Sequence, residues 1–196
     1  MNYRQPARTR PAVLLALVVG AALLLGVLAY QPLASLGTSS VASIGVPPGA
    51  HHDPPGVSVF ADDIPSVANL DPDLLRALRR AATDAADDGV EFVVNSGWRS
   101  REYQAQLLRD AVAEYGSETE AARWVATPDT SAHVSGDAVD LGPDAATAWL
   151  SRHGASYGLC QIYANEPWHY ELRSDATDYG CPTPYADPTE DPRMHQ

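Results

Sequence analysis

The most informative part of this sequence is Ser131-Ala-His-Val-Ser-Gly-Asp-Ala-Val-Asp140, a polar turn followed by an apolar run that ends in a carboxylate. Residues 137–141 predict a β-strand that carries Asp140. Gly136 permits the turn that brings His133 back beside this strand. Histidine and aspartate are both ligands of catalytic zinc ions. The pair at this spacing is also common by chance, so it needs support from elsewhere in the chain.

Two further stretches supply that support: Ser96-Gly-Trp-Arg-Ser100 upstream and Glu166-Pro-Trp-His169 downstream. A catalytic zinc ion generally takes three protein ligands and leaves its fourth position for water. The three stretches therefore contain a sufficient ligand set, which consists of His133, Asp140 and His169.

Glu166 is the carboxylate that this ligand set leaves over. Pro167 disfavours a helix at Glu166, so we expect an extended segment or tight turn that holds Glu166 and His169 beside the metal. A metal lowers the pKa of bound water from about 15.7 towards about 7, which leaves a neighbouring carboxylate only a modest proton transfer. The sequence predicts metal-assisted hydrolysis, with Glu166 as the general base and Arg99 as the charge-stabilising group.

Together the three stretches resemble the VanY-type D-alanyl-D-alanine carboxypeptidases, zinc peptidases of the M15 group. The motifs of that family are Ser-Gly-Tyr-Arg-Ser, then Ser-x-His-x-x-Gly-x-Ala-x-Asp, then Glu-x-Trp-His. The resemblance extends from about Leu70 to Leu172. Trp98 replaces the usual tyrosine, and Leu159-Cys160 stands where Gly-Phe is typical. These differences affect the expected shape of the pocket and therefore which peptide is cut.

The resemblance implies a role for each matching residue. Zn²⁺ would be held by His133, Asp140 and His169, Glu166 would be the base, and Arg99 would stabilise the tetrahedral oxyanion. Substrate contacts would come from Ser131 and Gln104, while Trp168 would either line the pocket or pack beneath the ligands. The substrate would be a peptidoglycan stem peptide ending in D-Ala-D-Ala. Two alternatives stay open: an endopeptidase of the same fold, and a non-catalytic zinc-stabilised wall-binding module.

The N-terminus has the pattern of a membrane anchor. A basic segment, residues 1–11, precedes an uncharged apolar run at residues 12–30, which is nearly long enough to cross a hydrocarbon core of about 30 Å. The basic flank predicts a cytoplasmic N-terminus and an extracytoplasmic catalytic domain on a single-pass membrane protein. The alternative is a signal peptide that is cleaved to release a secreted protein.

The charge distribution argues against nucleic acid as a partner. The chain has 13 basic and 25 acidic residues, a net charge of −12, and every acidic residue follows the apolar run. Nucleic acid is held by clustered positive charge, which this exported part lacks.

The remainder predicts one small α+β domain with a largely antiparallel sheet and flanking helices, and the family resemblance implies a Hedgehog/DD-peptidase-like fold. Residues 31–69 have the composition of a Pro-, Gly- and Ser-rich linker, residues 70–173 form the zinc D,D-carboxypeptidase domain, and residues 174–196 form an acidic, mostly irregular tail. Cys160 and Cys181 are the two cysteines, and we expect them to pair in an oxidising compartment.

Local patterns predict the individual elements. Asp71 caps a helix that runs to Gly89, Ser100 caps a helix to about Tyr115, and Asp144 caps a helix to about His153. Ser117 begins a short helix to about Val125 through a capping box. Strands are predicted at 90–95, 157–163 and 168–172, and the apolar face of the second helix is predicted to be Tyr103, Leu107, Leu108 and Val112.

Overall fold

The computed structural model of this chain describes residues 56–195. Short 3-10 turns lie at Gly154–Tyr157, Pro188–Glu190 and Pro192–His195. The helices and strands in chain order are β1 (Val57–Ser58), α1 (Pro65–Ala68), α2 (Pro72–Asp87), β2 (Val93–Ser96), α3 (Arg101–Tyr115), α4 (Glu118–Ala121), α5 (Ala132–Ser135), β3 (Ala138–Gly142), α6 (Asp144–His153), β4 (Leu159–Gln161), β5 (His169–Leu172) and α7 (Ala176–Tyr179).

The strands form one sheet in the order β1-β2-β3-β5-β4. Every neighbouring pair is antiparallel. The prediction of a small α+β domain with an antiparallel sheet and flanking helices is therefore confirmed for the described residues.

Helix α2 supplies one side of the hydrophobic core. Asp71 caps it by accepting hydrogen bonds from the backbone N–H groups of Asp73 and Leu74, at 2.8 and 3.0 Å. Its buried face, which includes Leu78, packs with residues of the sheet in one hydrophobic cluster. Removal of this apolar surface from water is the main stabilising contribution to such a domain.

Apolar and polar side chains alternate along the two central strands, β3 and β5, and so separate the hydrophobic core from the polar site. Val139 and Leu141 of β3 and Tyr170 of β5 belong to the hydrophobic cluster. Successive side chains of a strand point to opposite faces of the sheet. Asp140 and His169 therefore share the other face, and they stand directly opposite each other in the antiparallel register of β3 and β5.

Helix α3 differs from its prediction in the face that it buries. The four residues of the predicted apolar face are only partly buried, whereas Gln104 and Ala111 are buried. The physical reason is that α3 is the wall of an open cleft, which Leu107 lines, while Leu108 and Val112 line a groove beside it.

Several other elements are shorter than predicted. Helix α4 ends at Ala121, and β4 and β5 each begin one or two residues later than expected. Asp144 is the first residue of α6 and Pro143 is its cap, so the predicted cap at Asp144 is wrong by one position.

The folded domain extends past both predicted boundaries. Residues 57–69, predicted as linker, contribute β1, which pairs with β2, and the core residues Val59 and Val67. The predicted irregular tail likewise packs on the domain, where Asp187 and Asp191 are buried. The sequence did not predict that these segments are buried, because their proline and glycine residues interrupt the periodic pattern from which the domain boundaries were predicted.

The predicted basic segment and apolar run, and the linker as far as residue 55, lie outside the described residues. Within 56–195, no helix combines the length and the apolar character that crossing a membrane requires.

Candidate active site

Three buried side chains meet on the polar face of the sheet: His133, Asp140 and His169. His133 Nε2 lies 3.3 Å from His169 Nδ1 and 3.4 Å from Asp140 Oδ1. His169 Nδ1 lies 3.3 Å from the same carboxylate oxygen. The three atoms thus form a nearly equilateral triangle, and they bring together the residues that the sequence predicted as metal ligands.

Hydrogen bonds behind the two imidazole rings determine which nitrogen faces the triangle. His133 Nδ1 bonds the carbonyl oxygen of Gly97 at 2.8 Å, and His169 Nε2 bonds Glu171 Oε1 at 3.2 Å. Each outer nitrogen must therefore carry the N–H of a neutral ring, which leaves a lone pair on the inner one. With both rings neutral, two lone pairs and one carboxylate oxygen converge on the centre of the triangle.

This arrangement fits a zinc ion. Ligand atoms bound at about 2.0–2.1 Å in tetrahedral geometry are about 3.3–3.4 Å apart, as these three are. Asp140 Oδ1 is buried and accepts no hydrogen bond from the described residues. A carbonyl or carboxylate that fixes the outer nitrogen of a histidine is the usual partner of a metal-binding imidazole.

The electrostatics of the triangle favour a positive charge at its centre. Burial would raise the pKa of Asp140, but His133, His169 and Arg99 together hold it well below its ordinary value. Burial lowers the pKa of His169, but the carboxylates of Asp140 and Glu171 more than offset this effect and raise it to about 9. A metal ion supplies the same charge without a proton.

Glu166 lies at the edge of the triangle, on the turn that leads into β5. Its Oε2 is 3.8 Å from His169 Nδ1, and the backbone N–H of His169 donates to the carbonyl of Glu166 at 3.1 Å. Glu166 Oε1 is buried and accepts no hydrogen bond from any residue in the described range. Burial raises the pKa of this carboxyl to about 7, and the nearby charge of Asp140 adds to the effect.

Arg99 connects three parts of the site. Its guanidinium donates to Ser96 Oγ at 2.8 Å, to Gln104 Oε1 at 3.2 Å and to Asp140 Oδ2 at 2.8 Å. The last contact occupies the oxygen of Asp140 that faces away from the histidines. Arginine has five N–H donors, so two remain beyond those that these residues use.

Glycine is required at two positions that shape the site. A Cβ atom at Gly97 would lie 2.0 Å from the carbonyl oxygen of Ser66. Gly136 has φ of +85°, and a Cβ atom there would lie 2.6 Å from the carbonyl oxygen of Asn69. The first glycine carries the carbonyl that orients His133, and the second ends the short helix on which His133 lies.

The triangle opens into a cleft of about 360 Å³, lined on one side by α3. Ser131 and the half-exposed Trp168 line it, so Trp168 lies in the cleft wall. Gln104 also borders the cleft, but its amide is engaged by Arg99 and, at 2.8 Å, by the carbonyl of Ala126. Substrate contacts of Ser131, Gln104 and Trp168 remain predictions.

Sequence reasoning missed Glu171 and Arg193. Glu171 is 1% exposed, and both of its carboxylate oxygens contact the Arg193 guanidinium. Burial would raise the pKa of Glu171, but His169 and Arg193 hold it well below its ordinary value. Strand alternation from His169 could have indicated Glu171, whereas Arg193 lies on a segment with no periodic pattern.

The family of the chain follows from its sequence. The sequence model described as "VanY: D-alanyl-D-alanine carboxypeptidase" matches residues 67–175. That range is more than half of the chain, and it includes every ligand and catalytic candidate predicted above. This chain belongs to the VanY family. The VanY match ends before most of the C-terminal segment that packs behind the site.

Relatives of known identity agree with the VanY assignment. A D-alanyl-D-alanine carboxypeptidase of Enterococcus faecalis is 34% identical over an alignment of 111 positions, and the match covers 44% of this chain and 41% of that protein. The chain thus matches about two fifths of the length of this curated relative.

Two solved structures share the fold. One is a variant of the vancomycin resistance D,D-pentapeptidase VanY from a VanB-type resistance cassette, in complex with Zn(II). It has a TM-score of 0.52 and 27% identity, and the match covers 57% of this chain and 80% of that one. VanYB in complex with D-Alanine-D-Alanine has a TM-score of 0.51 and 28% identity, over 57% and 78% of the two chains. With the ligand triangle, the Zn(II) complex of the first of these structures supports zinc as the metal that the site fits.

Proposed function

We propose that this chain is a zinc-dependent carboxypeptidase that hydrolyses the terminal D-alanine from peptidoglycan stem peptides ending in D-Ala-D-Ala. The observation that carries the proposal is the free carboxylate oxygen of Glu166 beside the ligand triangle. A structural zinc site would close its fourth position with another protein ligand. Among residues 56–195, the group of possible metal ligands has only the three members of the triangle.

Glu166 would act as the general base. Zinc held by His133, Asp140 and His169 would supply a Lewis acid that polarises the scissile carbonyl and acidifies water. Glu166 then takes the proton from the attacking water and returns it to the leaving amine of D-alanine. Burial favours the protonated form of this carboxyl, which suits a group that must also donate its proton to the leaving amine.

Arg99 would stabilise the charge that develops on the substrate. Its guanidinium is held in place by Ser96, Gln104 and Asp140. Its remaining donors can meet either the oxyanion or the terminal carboxylate of the peptide. Donors that are fixed before the reaction have no reorganisation to make at the transition state.

The family and its relatives support the proposed substrate class. VanYB has been solved with D-Alanine-D-Alanine, and the cleft beside the triangle is open enough to admit a peptide end. An exported, acidic protein would meet such peptides in the cell wall.

The direct test is incubation of the full chain and zinc with a pentapeptide ending in D-Ala-D-Ala. We expect release of free D-alanine, detected by mass spectrometry, and no release from a matched peptide ending in D-Ala-L-Ala. Cleavage at an internal bond would instead indicate an endopeptidase. Binding to peptidoglycan without any cleavage would indicate a wall-binding module.

We also propose that residues 12–30 anchor the protein in the membrane with the catalytic domain outside. Support comes from the basic flank of the apolar run and from the cysteine pair, since disulfides persist in oxidising compartments. Protease added to intact spheroplasts should remove the catalytic domain. Protection of the domain would reverse the orientation, and release of the intact domain into the medium would favour a cleaved signal peptide.

A further inference from the structure

A buried carboxylate stands directly behind the metal ligand His169. Glu171 is two residues along β5, on the same face of the strand, and it is 1% exposed. Its Oε1 accepts the hydrogen bond from His169 Nε2 at 3.2 Å. The orientation of the imidazole ring therefore depends on where this carboxylate is held.

Two arginines neutralise Glu171, and they do so differently. Arg193 spans both oxygens, with Nη1 at 2.7 Å from Oε2 and Nη2 at 3.1 Å from Oε1. Arg173 reaches only Oε2, at 2.7 Å. Arg193 is thus the arginine that contacts the oxygen bonded to His169, and a two-pronged contact fixes the carboxylate plane as well as its position.

Arg193 is itself held by a buried anchor. Asp191 is 0% exposed, and it accepts hydrogen bonds from the backbone N–H and the Nε of Arg193 at 2.9 and 3.1 Å. The hydroxyl of Tyr163 donates to the same carboxylate at 3.0 Å. The Tyr163 ring packs against His169, with 5.0 Å between ring centroids.

We propose that Arg193 is a positioning residue for the zinc ligand His169, acting through Glu171; this inference rests on the proposed zinc-dependent function. Arg193 holds the Glu171 carboxylate in one position and orientation. From there, Glu171 accepts the hydrogen bond of His169 and fixes both the tautomer and the orientation of its ring. It lies beyond residues 67–175, the part that matches the family, so in this protein the C-terminal segment completes the support of the metal site. Loss of such a partner typically weakens metal affinity by about 10–100-fold.

A second contact of the same segment provides a matched control. Arg123 pairs with Asp187 at 2.9 Å and so fastens the C-terminal segment to the loop after α4. No contact between Arg123 and Glu171 or His169 is present in the described part of the chain. Arg123→Ala therefore removes one attachment of this segment and leaves the contacts among Arg193, Glu171 and His169 in place.

The test measures the zinc dissociation constant of the full chain by competition with a chromogenic chelator. We expect Arg193→Ala to weaken zinc binding by at least about tenfold. Arg193→Lys should restore part of the loss, because one ammonium can neutralise Glu171 but cannot span both oxygens. Arg123→Ala should stay within about twofold of the unsubstituted protein. The absorption spectrum of bound Co²⁺ should shift in Arg193→Ala and not in Arg123→Ala.

A double-mutant cycle tests the route through Glu171. In a Glu171→Gln background, Arg193→Ala should change zinc affinity by less than about twofold, because coupled residues do not act additively. A full loss in that background would overturn the proposal, as would unchanged affinity in Arg193→Ala or an equal loss in Arg123→Ala. If Arg193→Ala does not fold, Arg193→Lys takes its place in the cycle, and unchanged affinity and Co²⁺ spectrum there overturn the proposal. Failure of the unsubstituted protein to bind zinc would instead refute the proposed function.

Discussion

At the scale of single residues, the atoms that can hold a metal are distinct from the carboxylate that we propose as the base. The inner nitrogens of His133 and His169 and one oxygen of Asp140 face each other, whereas Glu166 keeps an oxygen that no described residue uses. Burial makes that carboxyl a weaker acid, with a pKa of about 7. Substitutions can therefore test metal binding and proton transfer separately.

Substitution Glu166→Gln should abolish proton transfer while it preserves shape and metal binding. General-base catalysis is typically worth about 10²–10⁴-fold, so kcat should fall by that order. Zinc content and substrate binding should be unchanged. Steady-state kinetics on a D-Ala-D-Ala peptide, together with metal analysis, checks both. Near-normal hydrolysis by this variant would show that another group is the base.

His169→Ala should remove a metal ligand, so zinc content and activity should fall together. The matched control is His153→Ala, because His153 is exposed at the end of α6, packs against Trp149 and takes no part in the ligand triangle. Metal analysis of both purified proteins gives the comparison. Full zinc occupancy in His169→Ala would remove His169 from the ligand set.

At the scale of elements, the site depends on strand register and on the end of one short helix. The antiparallel register of β3 and β5 places Asp140 opposite His169. Cross-strand neighbours have Cβ atoms about 4.5–5.5 Å apart, close enough for their side chains to share an ion. His133 comes from α5, and the left-handed residue that caps the end of this helix, Gly136, redirects the chain into β3.

Two glycines with the same backbone conformation provide a paired test of that turn. Gly116→Ala introduces a left-handed alanine in open space, which should cost about 1–2 kcal/mol. Gly136→Ala adds a collision with the carbonyl of Asn69, so its loss of unfolding free energy should be larger. Only Gly136→Ala should also weaken zinc binding, since it displaces His133. Denaturant unfolding and chelator competition measure the two effects; equal behaviour of both variants would contradict the argument.

At the scale of the whole domain, the C-terminal segment closes back over the sheet. The predicted disulfide between Cys160 and Cys181 is present, and it ties this segment to β4. Beyond it, Tyr185 bridges to Tyr163, and Met194 borders the catalytic cleft. The C-terminal segment is therefore part of the folded domain, and it also forms part of the cleft wall.

Removal of the disulfide should destabilise the domain without unfolding it at room temperature. The cysteines are 21 residues apart, and closing a loop of that size is worth about 3 kcal/mol in the chain-entropy model. The double variant Cys160→Ala/Cys181→Ala should lose about that free energy of unfolding, and reduction of the unsubstituted protein should reproduce the loss. Proteolysis should then begin in the C-terminal segment. Equal stability with and without the bond would show that the segment is held by its side-chain contacts alone.

The sequence by itself predicted the three residues that converge as a ligand triangle, the carboxylate beside them and most of the elements. His133, Asp140 and His169 were predictable because their chemical types and order leave few other uses, and α2 because burial of one face imposes a helical period on neighbouring residues. The cysteine pair was predictable because no third cysteine competes for it.

Only the tertiary structure decided what surrounds these residues. It showed that residues 57–69 belong to the domain, that α3 turns Gln104 inward to hold Arg99, and that Arg193 reaches Glu171. Such contacts join residues far apart in the chain, and they leave no period in the sequence between them. A helix or strand is encoded in adjacent residues, whereas a salt bridge across a fold exists only once two packed surfaces have brought its partners together.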